Sequence, residues 1–388
     1  MASVINEFLR ECMSKVASKV RPLTVVQGNE GGDMDSIVGS IYFALLLEKS
    51  NRWNVENPVP AINFPPEDLV LRNDVVKLFE EVGIDTSLIM SVQKGQSPDR
   101  YIDLAALDAK IYLYDHNKLT SRQEAFDHKV IGILDHHMDE KKHTDFAPRR
   151  RLIKAVGSCC TLVTECFNVC ERDVPCPELL DAPIILDTVN FDPAQKKVTP
   201  EDIAMHQWLC RRIDDEDYDT AAIYNKLAQW KNDVLVLTVA ENMRRDYKKF
   251  DFPWLGKKGV MVTGTSSVPC SCPEFQEKYT VPQIVAEAVK FIRERQLDVL
   301  IFAFAGHVDG KHSREVAFCA KPEIMEVFAP FIEDSSDGIV FSLISESATE
   351  DKSYSYASYS LSDPAVSRKK LVPALRKFLA EGGSRSLL

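Results

Sequence analysis

A chain of 388 residues with a formal net charge of −11 suits two domains, and its acidity means that any polyanion must be met by a local patch or by metal ions. Hydrophobic residues make up 45% and charged residues 27%, as in ordinary globular proteins. No apolar run reaches the roughly 18 residues of a bilayer span, so a membrane protein is not expected.

At the N-terminus, Ile5, Phe8, Leu9, Cys12, Met13 and Val16 recur at helical spacing, while Glu7 and Glu11 interrupt any apolar leader. A docked first helix is predicted rather than a secretory signal. Residues 23–26 read as a strand, followed by "GNEGGDMDS" and a helix carrying Ile37, Val38, Ile41, Ala44, Leu45 and Glu48 with one apolar face. Further strands are predicted at 111–114, ending on Asp115, at 130–134, ending on Asp135, and at 183–186, ending on Asp187. Helices are expected between them, at 68–82 and 160–170. Alternation of this kind predicts an α/β domain, a parallel sheet with helices on both faces.

Between 211 and 219 the text turns to "RRIDDEDYD", a linker or exposed edge, and a long helical stretch follows over 220–245. Strands are then predicted at 259–263, 299–304, 315–320 and 338–343, and helices at 281–295, 322–331 and 371–381. The polar stretch 345–360 reads as a mobile loop or exposed edge. The expected organisation is a catalytic domain over 1–212, a helical connection over 213–235 and a smaller mixed α/β domain over 236–388. Ten scattered cysteines lack zinc-framework spacing and read as reduced thiols, which points to a cytoplasmic setting.

In an open parallel sheet the carboxyl ends of the strands share one rim, and ligands bind there. Four strand-like runs ending on acids would gather Asp33, Asp35, Asp115, Asp135, His136 and Asp187 at that rim. Crowded carboxylates repel one another, and burying them costs several kcal/mol per ion unless cations are present. Taken singly, a D-x-D or an acid after a strand is an ordinary helix cap. Four in order point to divalent metal, and oxygen donors with an imidazole suit Mg²⁺, Mn²⁺ or Co²⁺. Asp33 and Asp35 point one way if their segment is extended, and the glycines at 28, 31 and 32 let the backbone turn there. His136 and His137 point oppositely, so one can bind metal while the other meets substrate. His143 reads as a surface-loop histidine, and His128 and His206 as structural or solvated. "VGSCCT" precedes a helix whose N–H groups could hold a phosphate, with Ser158 as its cap.

The ordered set "GNEGGDMDS", "YDHN", "LDHHMDE", "VGSCCT" and "LDT" resembles the DHH phosphoesterase superfamily, in the exopolyphosphatase and Prune-type branch related to family II inorganic pyrophosphatases. "RRDYKKF" and "SRKKLVP" resemble phosphate-binding segments of the DHHA2 domain. The resemblance implies metal ligation by Asp33, Asp35, Asp115, His136 and Asp187, with Asp115 bridging two ions. It makes Asp135 the acid that orients its neighbour and His137 a substrate-side histidine. Lys248, Arg368 and Lys369 fall on phosphate-gripping positions. Pyrophosphatases begin the first motif with histidine. Here Asn29 stands in its place, as in the exopolyphosphatase branch, which weakens one transition-metal subsite and favours Mg²⁺.

Independently of any resemblance, Arg368, Lys369 and Lys370 precede a helix whose dipole they oppose by roughly 0.3–1 kcal/mol each, which makes sense beside an anion. Arg244–Lys249 offers a second basic cluster, and Lys257 with Lys258 could extend it. A metal rim on one domain and cations on the other predict a cleft holding inorganic polyphosphate. The expected activity is metal-dependent exopolyphosphatase, releasing orthophosphate from the chain end by attack of a metal-activated water. Two ions are expected, Mg²⁺ or Mn²⁺, with Co²⁺ and Zn²⁺ as further candidates. The protein is expected to be monomeric and to bind no nucleic acid. Rival readings are a phosphodiesterase for cyclic nucleotides or short oligonucleotides, an inorganic pyrophosphatase, and a non-enzymatic scaffold on a degenerate hydrolase fold.

Overall fold

The structure is a computed structural model that describes residues 2–254, 259–333 and 338–381; Lys257 and Lys258 lie outside the described residues. The chain divides into two compact units, Met1–Lys231 and Asn232–Leu388. Among the described residues no helix is long and apolar enough to cross a membrane.

The first unit opens with α1 (Ala2–Ala17), whose Ile5, Phe8, Leu9 and Cys12 are buried at the expected helical spacing. Its sheet contains β1 (Thr24–Gln27), β2 (Pro58–Ala61), β3 (Lys110–Tyr114), β4 (Val130–Asp135) and β5 (Arg151–Ile153). They run in the order β2-β1-β3-β4-β5, and every pairing is parallel. Every residue of β1 and β2 is buried, as is each residue of β3 after Lys110. Successive side chains point to opposite faces, so burial of all of them requires cover on both faces.

Helix α2 (Met34–Lys49) follows β1 and is buried without a break from Met34 to Leu47. The expectation of one apolar face is therefore corrected. The helix packs on β1, β2 and β3 and is also covered by α4 (Cys159–Val169) and α5 (Pro177–Asp187). Gly39 permits the close approach, since a Cβ there would collide with the Tyr114 hydroxyl. Helices α3 (Asn73–Val82), α6 (Pro200–Cys210) and α7 (Thr220–Asn232) complete the unit.

The strand predicted at 183–186 is wrong: those residues lie inside α5. Pro177 at the helix start is preorganised for that turn, and the run Leu179–Leu186 is buried on all sides. An apolar run of that length fits a buried helix as well as a buried strand. Asp187 therefore reaches the rim from the C-terminus of a helix.

The second unit holds α8 (Val239–Arg245), β6 (Tyr247–Trp254), β7 (Gly259–Val268), α9 (Cys272–Lys278), α10 (Val281–Arg295), β8 (Val299–Val308) and β9 (Lys311–Ala320). Then come α11 (Pro322–Glu333), β10 (Phe341–Ala348), β11 (Ser355–Leu361) and α12 (Arg368–Ala380). Its sheet runs β10-β11-β9-β8-β7-β6, with β7 and β8 parallel and the other pairings antiparallel. Alternation splits the core cleanly. Leu300, Phe302 and Phe304 join the cluster with α9 and α10, whereas Val299 and Ile301 join the cluster with α11 and α12.

One further expectation is corrected and another is narrowed. The helical stretch 220–245 is broken, because Thr238 and Glu241 form a capping box that starts α8 afresh. The polar stretch 345–360 is no loop but the exposed edge, the second of its two readings: it is largely a hairpin of β10 and β11, with β10 as the sheet edge. Its serines and tyrosines include buried Tyr356 and Ser358 in β11, while β10 stays half-buried or exposed, which disguises strands as polar text.

Candidate metal centre

Strands β1, β3 and β4 are neighbours and parallel, so the segments following them share one rim. The loop after β1 turns at Gly32, with φ +56, where a Cβ would run into the Phe64 ring. Asn29 braces this loop: its Oδ1 accepts the Gly32 N–H at 2.7 Å, and its own N–H donates to Ser36 Oγ at 2.8 Å. Its Nδ2 donates to Asp115 Oδ2 at 2.7 Å. Arg72 donates to the Gly31 and Gly32 carbonyls and lies over the Phe64 ring, fixing the same loop from outside.

Asp33 and Asp35 do not share an extended segment, because the chain turns helical at Met34. Asp33 is the exposed N-cap of α2 and accepts the Ser36 N–H at 3.1 Å. Asp35 lies in the first helical turn and is 2% exposed. Its carboxylate accepts the N–H groups of Cys159 at 2.6 Å and Cys160 at 2.8 Å. The expectation of a phosphate at the "VGSCCT" N–H groups is thereby corrected. Asp35 and Asp202 already fill that helix start, Asp202 through the Gly157 N–H. Ser158 is its N-cap, as expected.

Asp115 follows β3 in a left-handed conformation, φ +61, and is buried. Its Oδ1 lies 3.3 Å from His136 Nε2 and 3.6 Å from His137 Nδ1, yet this buried oxygen has no hydrogen bond. His136 Nδ1 donates to the Val156 carbonyl at 3.0 Å, which turns Nε2 toward Asp115 and toward Asp35 Oδ2, 3.7 Å away. Asp135, fully buried, accepts the N–H groups of His136 and His137 and the His137 Nδ1–H at 2.8 Å. Asn117 also donates to Asp135 and accepts the Glu140 N–H, so it holds the Asp135–Glu140 loop closed. His137 is 56% exposed and stands edge-on to His136.

The electrostatics are those of a site short of positive charge. Burial, then the Asp35 charge, pushes the Asp115 carboxyl up to about 8. Burial likewise raises Asp35, with Asp33 adding to it. Asp187 is raised by burial and by Asp35 and Asp33, while Lys231 works the other way. For His136 burial favours the neutral ring, but the carboxylates of Asp115 and Asp35 outweigh it and raise the ring to about 10. Burial also opposes ionisation of Asp135, yet the bonds from His137 and Asn117 prevail and hold it below the usual range.

The structure thus brings Asn29, Asp35, Asp115, Asp135, His136 and His137 into one contacting cluster and couples Asp33 and Asp187 to it through their charges. A divalent cation fits these residues: the donors are oxygen and imidazole nitrogen, and the unbonded Asp115 oxygen sits among them. His143 belongs elsewhere, stacked on Phe146 with Nε2 3.3 Å from Asp127. Arg72 and Lys231 carry no local motif, and for Asn117 the Asn of "YDHN" is the one signal in the sequence.

In the second unit the basic segments "RRDYKK" and "SRKK" meet. Arg368, Lys369 and Lys370 form the first turn of α12 rather than preceding it, and α12 packs on β6. Arg368 makes a forked bond to the Asp246 carboxylate at 2.7 and 3.0 Å and donates to the Asp246 carbonyl at 2.8 Å. Lys370 pairs with Asp363 and Lys249 donates to the Arg295 carbonyl, whereas Lys248 and Lys369 extend into solvent.

Comparison with known proteins bears on this arrangement. Residues 24–185 match the DHH family, N-terminal domain, and residues 225–378 match the DHHA2 domain. Human exopolyphosphatase PRUNE1 is 29% identical over 97% of this chain and 80% of its own length. A Schizosaccharomyces pombe protein named for the same activity, without its being established, is 26% identical over 96% of this chain and 95% of its own. A Methanococcus jannaschii crystal structure assigned to the family II inorganic pyrophosphatases superposes with a TM-score of 0.47 at 20% identity, over 93% of this chain and 100% of that one. With a DHH domain followed by a DHHA2 domain, the chain belongs to the DHH phosphoesterase superfamily.

Proposed function

We propose that the chain is a metal-dependent exopolyphosphatase that removes orthophosphate from the end of inorganic polyphosphate. The observation that carries this reading is the buried acidic cluster of Asp35, Asp115 and His136, with its unbonded carboxylate oxygen. Relatives named exopolyphosphatases across nearly the whole chain support the choice of substrate.

In this reading Asp33, Asp35, Asp115, His136 and Asp187 would hold two divalent ions, Mg²⁺ or Mn²⁺. When bound, the ions supply charge neutralisation, polarisation of the phosphoryl group and a nucleophile near neutral pH. Asn29 fixes the Asp115 carboxylate, and an amide here in place of an imidazole favours Mg²⁺ over a transition metal. Asp135 holds His137 by Nδ1, and the bond to Asp135 raises the ring above its ordinary range. A protonated His137 then presents Nε2–H to solvent and can give that proton to the departing phosphate oxygen. Lys248 and Lys369 attract the remaining phosphates, and Arg368 offers the donors that Asp246 leaves over.

The test is phosphate release from tripolyphosphate, pyrophosphate, cyclic AMP and a short RNA, with Mg²⁺ and with chelator. Release from tripolyphosphate that needs Mg²⁺ and exceeds the other three supports the reading. Preference for cyclic AMP or RNA, or release unaffected by chelator, refutes it.

A further inference from the structure

A second group of metal-competent side chains lies away from the strand rim, on the two helices α5 and α6 and the segment that follows them. Asp181 of α5 is completely buried. His206 and Cys210 are four residues apart on α6 and so project from one face of that helix. His206 Nδ1 lies 2.9 Å from both carboxylate oxygens of Asp181 and 3.6 Å from Cys210 Sγ. All three donor atoms lie within 4.8 Å of one another. Tyr218 donates its hydroxyl to Asp181 Oδ2 at 2.9 Å, and the Phe191 ring lies 4.5 Å from the imidazole.

We propose that Asp181, His206 and Cys210 form a second metal site, selective for zinc and separate from the one at the strand rim. The donor set is the first reason. One carboxylate, one imidazole and one thiolate suit Zn²⁺, whereas Mg²⁺ takes oxygen donors. Geometry is the second. Zinc bonds of about 2.0–2.3 Å in a tetrahedron place donors roughly 3.3–3.7 Å apart. The Nδ1–Sγ distance already falls there, and the Nδ1–Oδ distance needs to open by a few tenths of an ångström. The setting is the third. Tyr218 and Phe191 fix the carboxylate and the ring, as outer partners of zinc sites do. Tyr218 also lines a neighbouring cavity of about 330 Å³ whose charged lining is mostly acidic, with Asp214, Asp215, Asp217 and Asp219 against Lys226.

On binding, Cys210 loses its thiol proton to solvent and the imidazole carries its own proton on Nε2, leaving Nδ1 for the ion. Zinc uptake therefore releases a proton and tightens as pH rises. The ion would tie α5 to α6, and α5 ends on Asp187.

The full-length chain, stripped with chelator, should be titrated with Co²⁺ as a spectroscopic stand-in for zinc. With Mg²⁺ in large excess to occupy the rim, a near-ultraviolet thiolate-to-cobalt band that saturates at a single site, and is displaced by Zn²⁺, is expected. It should vanish in Cys210→Ser and fall at least tenfold in apparent affinity in Asp181→Asn. It should persist in Asp115→Asn, because the rim offers oxygen and nitrogen donors only. Zinc at about 100 times its Kd should also raise Tm by roughly 5 °C in the parent and in Asp115→Asn, and not in Cys210→Ser. If Cys210→Ser fails to fold, His206→Gln serves as the second variant with the same expected loss. Absence of the thiolate band in the parent, or its survival in a folded Cys210→Ser or His206→Gln chain, overturns the proposal.

Discussion

The two units handle charge in opposite ways. In the first, Asp35, Asp115 and Asp187 are held above the carboxylate range by burial and by one another. One Asp115 oxygen has no hydrogen bond at all. In the second, Arg368 is matched to Asp246 and Lys370 to Asp363, and Lys248 and Lys369 stand in water. Buried carboxylates that outnumber their one close cationic partner, the His136 ring, imply a further cation that belongs there, because the alternative costs several kcal/mol. A cation in water implies much less, since solvent already satisfies it.

That contrast sets the order of expected effects. Asp35→Ala, Asp115→Ala and His136→Ala should each lower turnover of tripolyphosphate by about a thousandfold or more, with secondary structure retained by circular dichroism. Residual activity within tenfold of the parent in any of them breaks the comparison. Asp135→Asn removes the partner of His137 rather than a ligand, and a fall of about 10–100-fold in kcat is expected. A shift of the alkaline limb of its pH–rate profile to lower pH would identify His137 as the proton donor it holds.

Protonation offers a sharper contrast. Asp115 and His136 have folded pKa values of about 8 and about 10, above their unfolded values, and Asp35, Asp187 and His137 shift in the same direction. At these five groups the folded chain therefore binds more protons than the unfolded chain. The Asp115 contribution is complete below the ordinary carboxylate pKa of about 4 and is lost as pH rises through about 8. In chelator, Tm should fall between about pH 5.5 and 8, and Mn²⁺ should restore it, most strongly at the higher pH. A Tm that rises over that range in chelator contradicts the assignment. The smallest effects belong to the second unit. Lys248→Ala and Lys369→Ala should lower kcat/KM for polyphosphate about three- to tenfold while leaving Tm unchanged, each losing about 1 kcal/mol of phosphate attraction. Arg368→Ala should lower Tm as well, because it also frees Asp246.

Much of the first unit was legible in the sequence. Strands ending on Asp115 and Asp135 announced themselves by apolar runs stopping on polar triplets, and the parallel sheet followed from alternation. What escaped had physical causes. β2 carries two prolines in four residues, which argue against a strand, and β5 is only three residues long. Residues 183–186 are apolar in a buried helix, where periodicity vanishes. Asp33 and Asp35 were placed on one extended segment because spacing alone does not reveal that the chain becomes helical at Met34. The occupation of the α4 N-terminus by Asp35 depends on residues more than a hundred apart, which no local reading finds. The same holds for Arg368 and Asp246, where a basic cluster in the text turns out to contain its own acid.

Crystals grown with Mn²⁺ and measured on both sides of the manganese absorption edge would test the central claim most directly. Strong anomalous peaks within bonding distance of Asp35, Asp115 and His136, with Asp33 and Asp187 completing the shell, are the expected result. Manganese-saturated crystals with no such peak among these five side chains would contradict the account.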